Sequence, residues 1–132
     1  MVPGMTPRPL RPVLLAALVA CSTLVAACSS GDDGGGKAEG AAAQGEELLR
    51  SKGCVGCHSV DGSRRTGPTL QGVVGRKVEL SDGSTVTADR AYITESIRQP
   101  QAKTVKGFSA RMPKFDLSNE QIDQIIAYLE TL

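Results

Sequence analysis

Residues 53–58 read GCVGCH, and His58 is the single histidine of the 132-residue chain. Cys54 and Cys57 stand three apart, with the imidazole directly after the second thiol. Thiolates and imidazoles serve as metal ligands, nucleophiles and redox groups, so the pair invites several readings. A structural zinc ion takes four ligands, and the chain holds no second pair to complete them. The other two cysteines, Cys21 and Cys28, belong to an N-terminal segment of a different kind. A thioredoxin-like dithiol follows a strand in a βαβ pattern, which is absent around this one. Cys-x-x-Cys-His is instead the attachment signature of c-type haem. Thiols at i and i+3 on one helical turn reach two vinyl groups on one edge of the ring, and the following histidine lies beneath the iron as its proximal ligand.

An electron-carrying haem iron takes a second protein ligand, histidine or methionine. There is no second histidine, and Met1 and Met5 lie in the N-terminal segment, which leaves Met112. It sits in FSARMPKF (108–115), a non-periodic stretch in which Pro113 keeps the preceding backbone extended. A methionine more often packs a core than binds a metal. Elimination reverses that preference, and Met112 is expected as the second metal ligand beside His58.

The elements that must position these groups can be read in outline. Gly45 and Leu49, one helical turn apart, lie on an opening helix over about 44–51 that stops at Gly53. Ser118 starts a closing helix, with Gln121 completing a capping box. Ile122, Ile125, Ile126 and Leu129 then follow the i, i+3, i+4, i+7 spacing of one apolar stripe. Between these helices, Asp82-Gly83 flanked by β-branched and apolar residues signals a hairpin, and Asp89 caps a further helix through Arg98 that Pro100 closes. The only aromatics are Tyr92, Phe108, Phe115 and Tyr128. So small a domain needs a staple, metal or cofactor, and a large apolar ring at its centre would supply the missing burial.

The chain ahead of this domain has another character. Arg8 and Arg11 precede an apolar run over 13–20 that continues with interruptions to Ala27, an export signal too short and too interrupted for a permanent span. Its end, LVAACSS, resembles the cleavage box of bacterial lipoproteins, in which the cysteine is lipidated. Cys21 and Cys28 both fit the box, and Cys28 is preferred because polar chain follows it, whereas more apolar chain follows Cys21. An ordinary cleaved signal with incidental cysteines is the alternative. Residues 1–27 are therefore expected as a lipoprotein-type signal peptide and 28–44 as a flexible tether of Gly, Ala, Ser and charge. The domain proper is expected over 45–132.

Taken together, CVGCH, TGPTL (66–70), GVVGRKV (72–78), MP (112–113) and the closing IIAYLETL resemble class I cytochromes c over about residues 45–132. The stretch LSDGSTVTADRAYITESIRQP (80–100) is similar to the cytochrome c domain fused to the copper-carrying subunit of some bacterial haem–copper oxidases. The cysteine pair and histidines of that subunit's copper centre have no counterparts, so the resemblance is to a free-standing haem domain. It implies an all-α class I cytochrome c fold with a short β-hairpin at most. The opening and closing helices would cross, Gly45 permitting their close approach. It also implies that the carbonyl of Pro68 accepts a hydrogen bond from the other ring nitrogen of His58, fixing the ring and raising its basicity. Arg76 matches an arginine that binds a haem propionate, with a solvated surface role as the alternative. Tyr92 is a further candidate for a propionate or, alternatively, a packing residue.

Charge is divided along the chain. Residues 50–114 carry 12 Lys and Arg against five Asp and Glu, whereas the segments on either side are acidic. A positive rim around the haem would steer its edge toward an acidic partner; scattered solvated cations are the equal alternative. No basic stripe with interleaved aromatics is present, so no nucleic-acid partner is expected. The expected function is transfer of one electron by a single covalently attached haem c, without enzymatic activity. The resemblance implies a quinol-oxidising cytochrome complex as donor and a terminal haem–copper oxidase as acceptor. The chain would be exported and lipid-anchored to the cell membrane, facing the periplasm or cell exterior. A haem-based sensor or weak peroxidase, or a dedicated electron-accepting subunit of a dehydrogenase, are the competing readings.

Overall fold

Helix α1 spans Asp33–Ser51 in the computed structural model, which describes residues 33–132. The signal segment, Cys21 and Cys28 lie outside the described residues. A helix starting near residue 44 and a flexible tether over 28–44 are the sequence expectation; the helix instead runs back to Asp33, so residues 33–44 of the tether are helical. The last two turns are fixed by packing, with Gly45 and Leu49 buried. From that nucleus, propagation adds one hydrogen bond per residue, and Ala41, Ala42, Ala43 and Gln44 are good helix formers. The extension rests on backbone bonds and propensity rather than burial, for residues 36–40 are exposed.

Gly53 ends α1. Its φ of 77° is left-handed, and its N–H donates to the carbonyl of Arg50 at 3.0 Å. The chain turns at once into a 3-10 turn over Cys54–Gly56. Strands β1 (Lys77–Glu79) and β2 (Thr85–Thr87) pair antiparallel with Lys77 opposite Thr87, Val78 opposite Val86 and Glu79 opposite Thr85. The Asp82-Gly83 signal is the tip of this hairpin, with Gly83 at φ 87°. The Asp82 carboxylate accepts the hydroxyl and the N–H of Ser84, at 2.6 and 2.9 Å, and these bonds hold its pKa below the usual carboxylate value. Beyond the hairpin, Leu80 bridges to Val105, and Ser81 N–H donates to the carbonyl of Thr104.

Helix α2 (Arg90–Arg98) is capped by Asp89, whose carboxylate accepts the N–H of Tyr92 at 2.8 Å. Helix α3 (Asn119–Leu129) starts with the full capping box: Ser118 Oγ accepts the N–H of Gln121, and Gln121 Oε1 accepts the N–H of Ser118. Its stripe of Ile122, Ile125, Ile126 and Leu129 is buried together with Leu49 of α1 and Tyr92, Ile93 and Ile97 of α2. Leu80, Ala88 and Leu117 complete that core. Where α1 meets α3, a Cβ built on Gly45 would lie 1.9 Å from the carbonyl oxygen of Gln124, so the two backbones touch there. Among the described residues, no helix is long and apolar enough to cross a membrane.

Candidate functional site

The motif residues are set directly after α1, so the packing that fixes Leu49 also fixes where Cys54 begins. The N–H groups of Cys57 and His58 both donate to the carbonyl of Cys54, at 3.2 and 3.0 Å, which closes Cys54–His58 into one tight turn. Arg65 donates to the carbonyl of Val55 at 2.8 Å and braces the turn from outside. Both thiols are free, Cys54 half-buried and Cys57 exposed. Burial pushes the Cys54 thiol above its ordinary pKa, and the neighbouring Cys57 adds to the rise.

A second strand of chain is laid along this turn by two backbone bonds, Gly67 N–H to the carbonyl of Cys57 and Leu70 N–H to that of Ser59, each 2.8 Å. Between them, the Pro68 carbonyl oxygen comes within 2.7 Å of His58 Nδ1. A carbonyl only accepts, so Nδ1 carries the proton and donates, and Nε2 keeps its lone pair for a metal. Gly67 closes against the ring itself: a Cβ there would stand 2.7 Å from His58 Cε1. Ser59, the one buried polar residue among those described, anchors the following loop through its hydroxyl to the carbonyl of Ser63.

The other expected residues fall in different places. Met112 is half-buried against the core edge, and its carbonyl accepts a hydrogen bond from Gln101 Nε2 at 2.9 Å. Arg76 is exposed, and its guanidinium donates to the backbone carbonyls of Gly72 at 3.1 Å and Gln71 at 2.5 Å, tying the 69–72 turn. Tyr92 is buried in the core beside Ile93 and Ile97. A cavity of about 230 Å³ touches His58, Leu49, Val55 and Tyr128, but neither thiol nor Met112 lines it, so it reaches one of the ligand-bearing groups and does not join them.

These residues suit a haem. Two thiols and a tautomer-fixed imidazole share one turn, and Leu70, Val73, Val74, Val78, Val86, Met112 and Phe115 form a partly buried apolar fringe on the core. Such a fringe is what a flat apolar ring needs to bury against. Among the described residues, no three His, Cys, Asp or Glu side chains cluster to hold an ion by themselves, which sets the arrangement apart from a structural zinc site.

The family comparison gives the same class. The cytochrome c family model matches residues 42–132. Cytochrome c-551 of Bacillus subtilis (strain 168) is 46% identical over 84 residues, covering 59% of this chain and 74% of that protein. Cytochrome c2 iso-1 of Magnetospirillum molischianum is 33% identical over 90 residues (60% of this chain, 89% of the relative), and the protein of the same name from Magnetospirillum fulvum is 32% identical over 90 residues (60% and 90%). The chain belongs to the cytochrome c family. The three helices and two-stranded sheet of the described residues are those of the class I cytochrome c fold, the cofactor is covalently attached haem c, and the protein is a single-haem electron carrier.

Sequence reasoning missed several residues that shape the site. Gly67 and Arg65 lie within ten residues of the motif, yet a glycine beside a proline and one arginine among many carry no signal of their own. Gln101 has no motif at all; its contact with Met112 exists only in the folded chain.

Proposed function

We propose that the protein is a membrane-tethered c-type cytochrome that passes single electrons outside the cytoplasm from a quinol-oxidising cytochrome complex to a terminal haem–copper oxidase, and that it is not an enzyme. The haem, when attached through Cys54 and Cys57, supplies a one-electron Fe(II)/Fe(III) couple. His58 would hold the iron through Nε2 while its Nδ1–H stays on the Pro68 carbonyl, so ring and proton need not rearrange as the charge changes. Met112 would hold the iron through its thioether, and a thioether ligand would raise the reduction potential relative to two imidazoles and suit delivery to a high-potential acceptor. Arg76, whose guanidinium ties the 69–72 turn, is a candidate partner for a propionate. Tyr92 acts through packing.

The observation that carries the reading is the 2.7 Å bond from His58 to the Pro68 carbonyl on the turn that holds both thiols. A metal-ligating imidazole is oriented in this way, its other ring N–H held by a backbone carbonyl. Anchoring rests on the lipoprotein-type box at Cys28. Confinement at the membrane would raise the effective concentration of the domain at both partners.

A redox titration of the purified holoprotein with optical spectra tests ligation and function together. Expected are one one-electron transition, a weak far-red charge-transfer band in the oxidised form that Met112→Ala abolishes, and no binding of carbon monoxide to the reduced iron. Ready carbon monoxide binding by the unmutated protein at neutral pH would replace the carrier with a sensor or peroxidase. Cys28→Ser should leave the precursor unprocessed or release the protein to the soluble fraction; the same effect from Cys21→Ser alone would move the anchor to Cys21.

A further inference from the structure

Residues 109–116 form neither helix nor strand and are largely exposed. Among the described residues, the backbone of this segment makes one protein hydrogen bond, from Gln101 Nε2 to the carbonyl oxygen of Met112 at 2.9 Å. Otherwise the segment is held by the half-buried side chains of Met112 and Phe115.

The donor stands on a firm post. Helix α2 is seated by Tyr92, Ile93 and Ile97, and the turn after it is tied by three bonds. Gln99 N–H donates to the carbonyl of Glu95 at 2.6 Å, Ala102 N–H donates to that of Gln99 at 2.9 Å, and Lys103 pairs with the Glu95 carboxylate. Gln101 sits between those ties. Its amide N–H, the only end that a carbonyl can accept from, spans eleven residues of sequence to reach the chain at Met112.

We propose that Gln101 is a positioning residue, a latch that holds the Met112 loop where its thioether can ligate iron. This rests on the reading of Met112 as axial ligand. The carbonyl that Gln101 grips belongs to the ligand residue itself, and the next residue, Pro113, has its φ fixed by the ring. The main chain at Met112 is therefore constrained on its C-terminal side by two independent means. A thioether is a neutral ligand, so the readiness of its loop to open decides how often the iron position is free. Losing one amide–carbonyl bond should shift that opening equilibrium about fivefold, equivalent to ~1 kcal/mol at 1.4 kcal/mol per tenfold.

The test uses full-length holoprotein carrying Gln101→Leu or Gln101→Glu. The first removes the donor; the second keeps the shape of the side chain but, ionised at neutral pH, presents only acceptors to a carbonyl. Two readouts are taken: the rate of tryptic cleavage at the Arg111–Met112 bond, and the rate of carbon monoxide binding to the reduced iron alongside the temperature at which the far-red band fades. Both variants are expected to raise both rates about fivefold and to lower that temperature. Unchanged rates in both variants overturn the latch, and so does a Gln101→Glu protein that behaves as the unmutated one while Gln101→Leu does not, since that result assigns the effect to packing. If the unmutated protein lacks the band and yet both variants speed cleavage, the latch on the loop stands and the ligand assignment of Met112 falls.

Discussion

Gly67 carries no side chain, and the surroundings of His58 are built on that absence. An added Cβ would stand 2.7 Å from Cε1 and 2.9 Å from Nδ1 of the imidazole, closer than real Cβ contacts allow, and a tight 3.0 Å from Nε2. The ring cannot retreat without stretching its 2.7 Å bond to the Pro68 carbonyl, because both groups hang on the same bracketed stretch of chain. Gly67→Ala should therefore weaken that bond in a protein that still attaches haem. An imidazole whose Nδ1–H is well accepted donates more strongly and favours Fe(III). Loosening it should raise the reduction potential, and a potentiometric titration of Gly67→Ala against the unmutated protein reads the sign. A potential that falls or stays put would mean that the ring tolerates the methyl by another route. The cysteines and histidine announce their chemistry from spacing alone, whereas Gly67, Arg65 and Gln101 act through contacts across nine to eleven residues, which spacing does not encode.

At the scale of elements, legibility follows the range of the interaction that builds each one. Helix α3 is written locally: the Ser118–Gln121 capping box and the isoleucine stripe fix its start and its buried face, and the structure has both. The Asp89 cap of α2 and the Asp82-Gly83 hairpin tip are equally local and equally visible. The N-terminal half of α1 is not, because Gly, Ala and charge read as linker by composition. What makes residues 33–44 helical is propagation from the packed turns at Gly45 and Leu49, a non-local cause. The bridge from Leu80 to Val105, which fastens the hairpin to the chain after α2, is likewise invisible in one segment. The crossing of α1 with α3 carries the sharpest consequence. With 1.9 Å between an added Cβ at Gly45 and the Gln124 carbonyl oxygen, a backbone must move, and backbone does not yield as a flexible side chain does. Gly45→Ala should cost about 2–3 kcal/mol, toward the upper end for overpacking, despite its gain in helix propensity. Thermal unfolding of the holoprotein checks this; Gly40→Ala, where nothing lies within 4 Å, is the control and should be neutral or mildly stabilising.

At the scale of the molecule, the buried hydrophobic set is small: eleven residues, one of them alanine and only one of them aromatic, serve all of 33–132. Around it lies the fringe of Leu70, Val73, Val74, Val78, Val86, Met112 and Phe115, whose apolar faces are only partly covered by protein. The two sides of the domain are unequal in this respect. The α1–α3 crossing is closely packed, while the 66–78 segment and the 109–116 loop rest on the core through half-buried side chains. Haem attachment therefore does more than install a redox centre; it supplies the apolar body against which the second side is organised. Haem-free protein, made by expression without maturation or as Cys54→Ala/Cys57→Ala, should retain some helix from α1 and α3 but lose cooperative unfolding. Far-UV circular dichroism should show reduced helical signal, and hydrogen exchange should leave 66–78 and 100–117 unprotected while residues of the crossing exchange more slowly. The converse pattern, a haem-free chain that melts in one sharp transition with both loops protected, would show that the eleven core residues suffice and that the fringe is ordinary surface. The expected result follows from where the burial lies, because a loop whose backbone is fastened by one hydrogen bond has little else to hold it once the ring is gone.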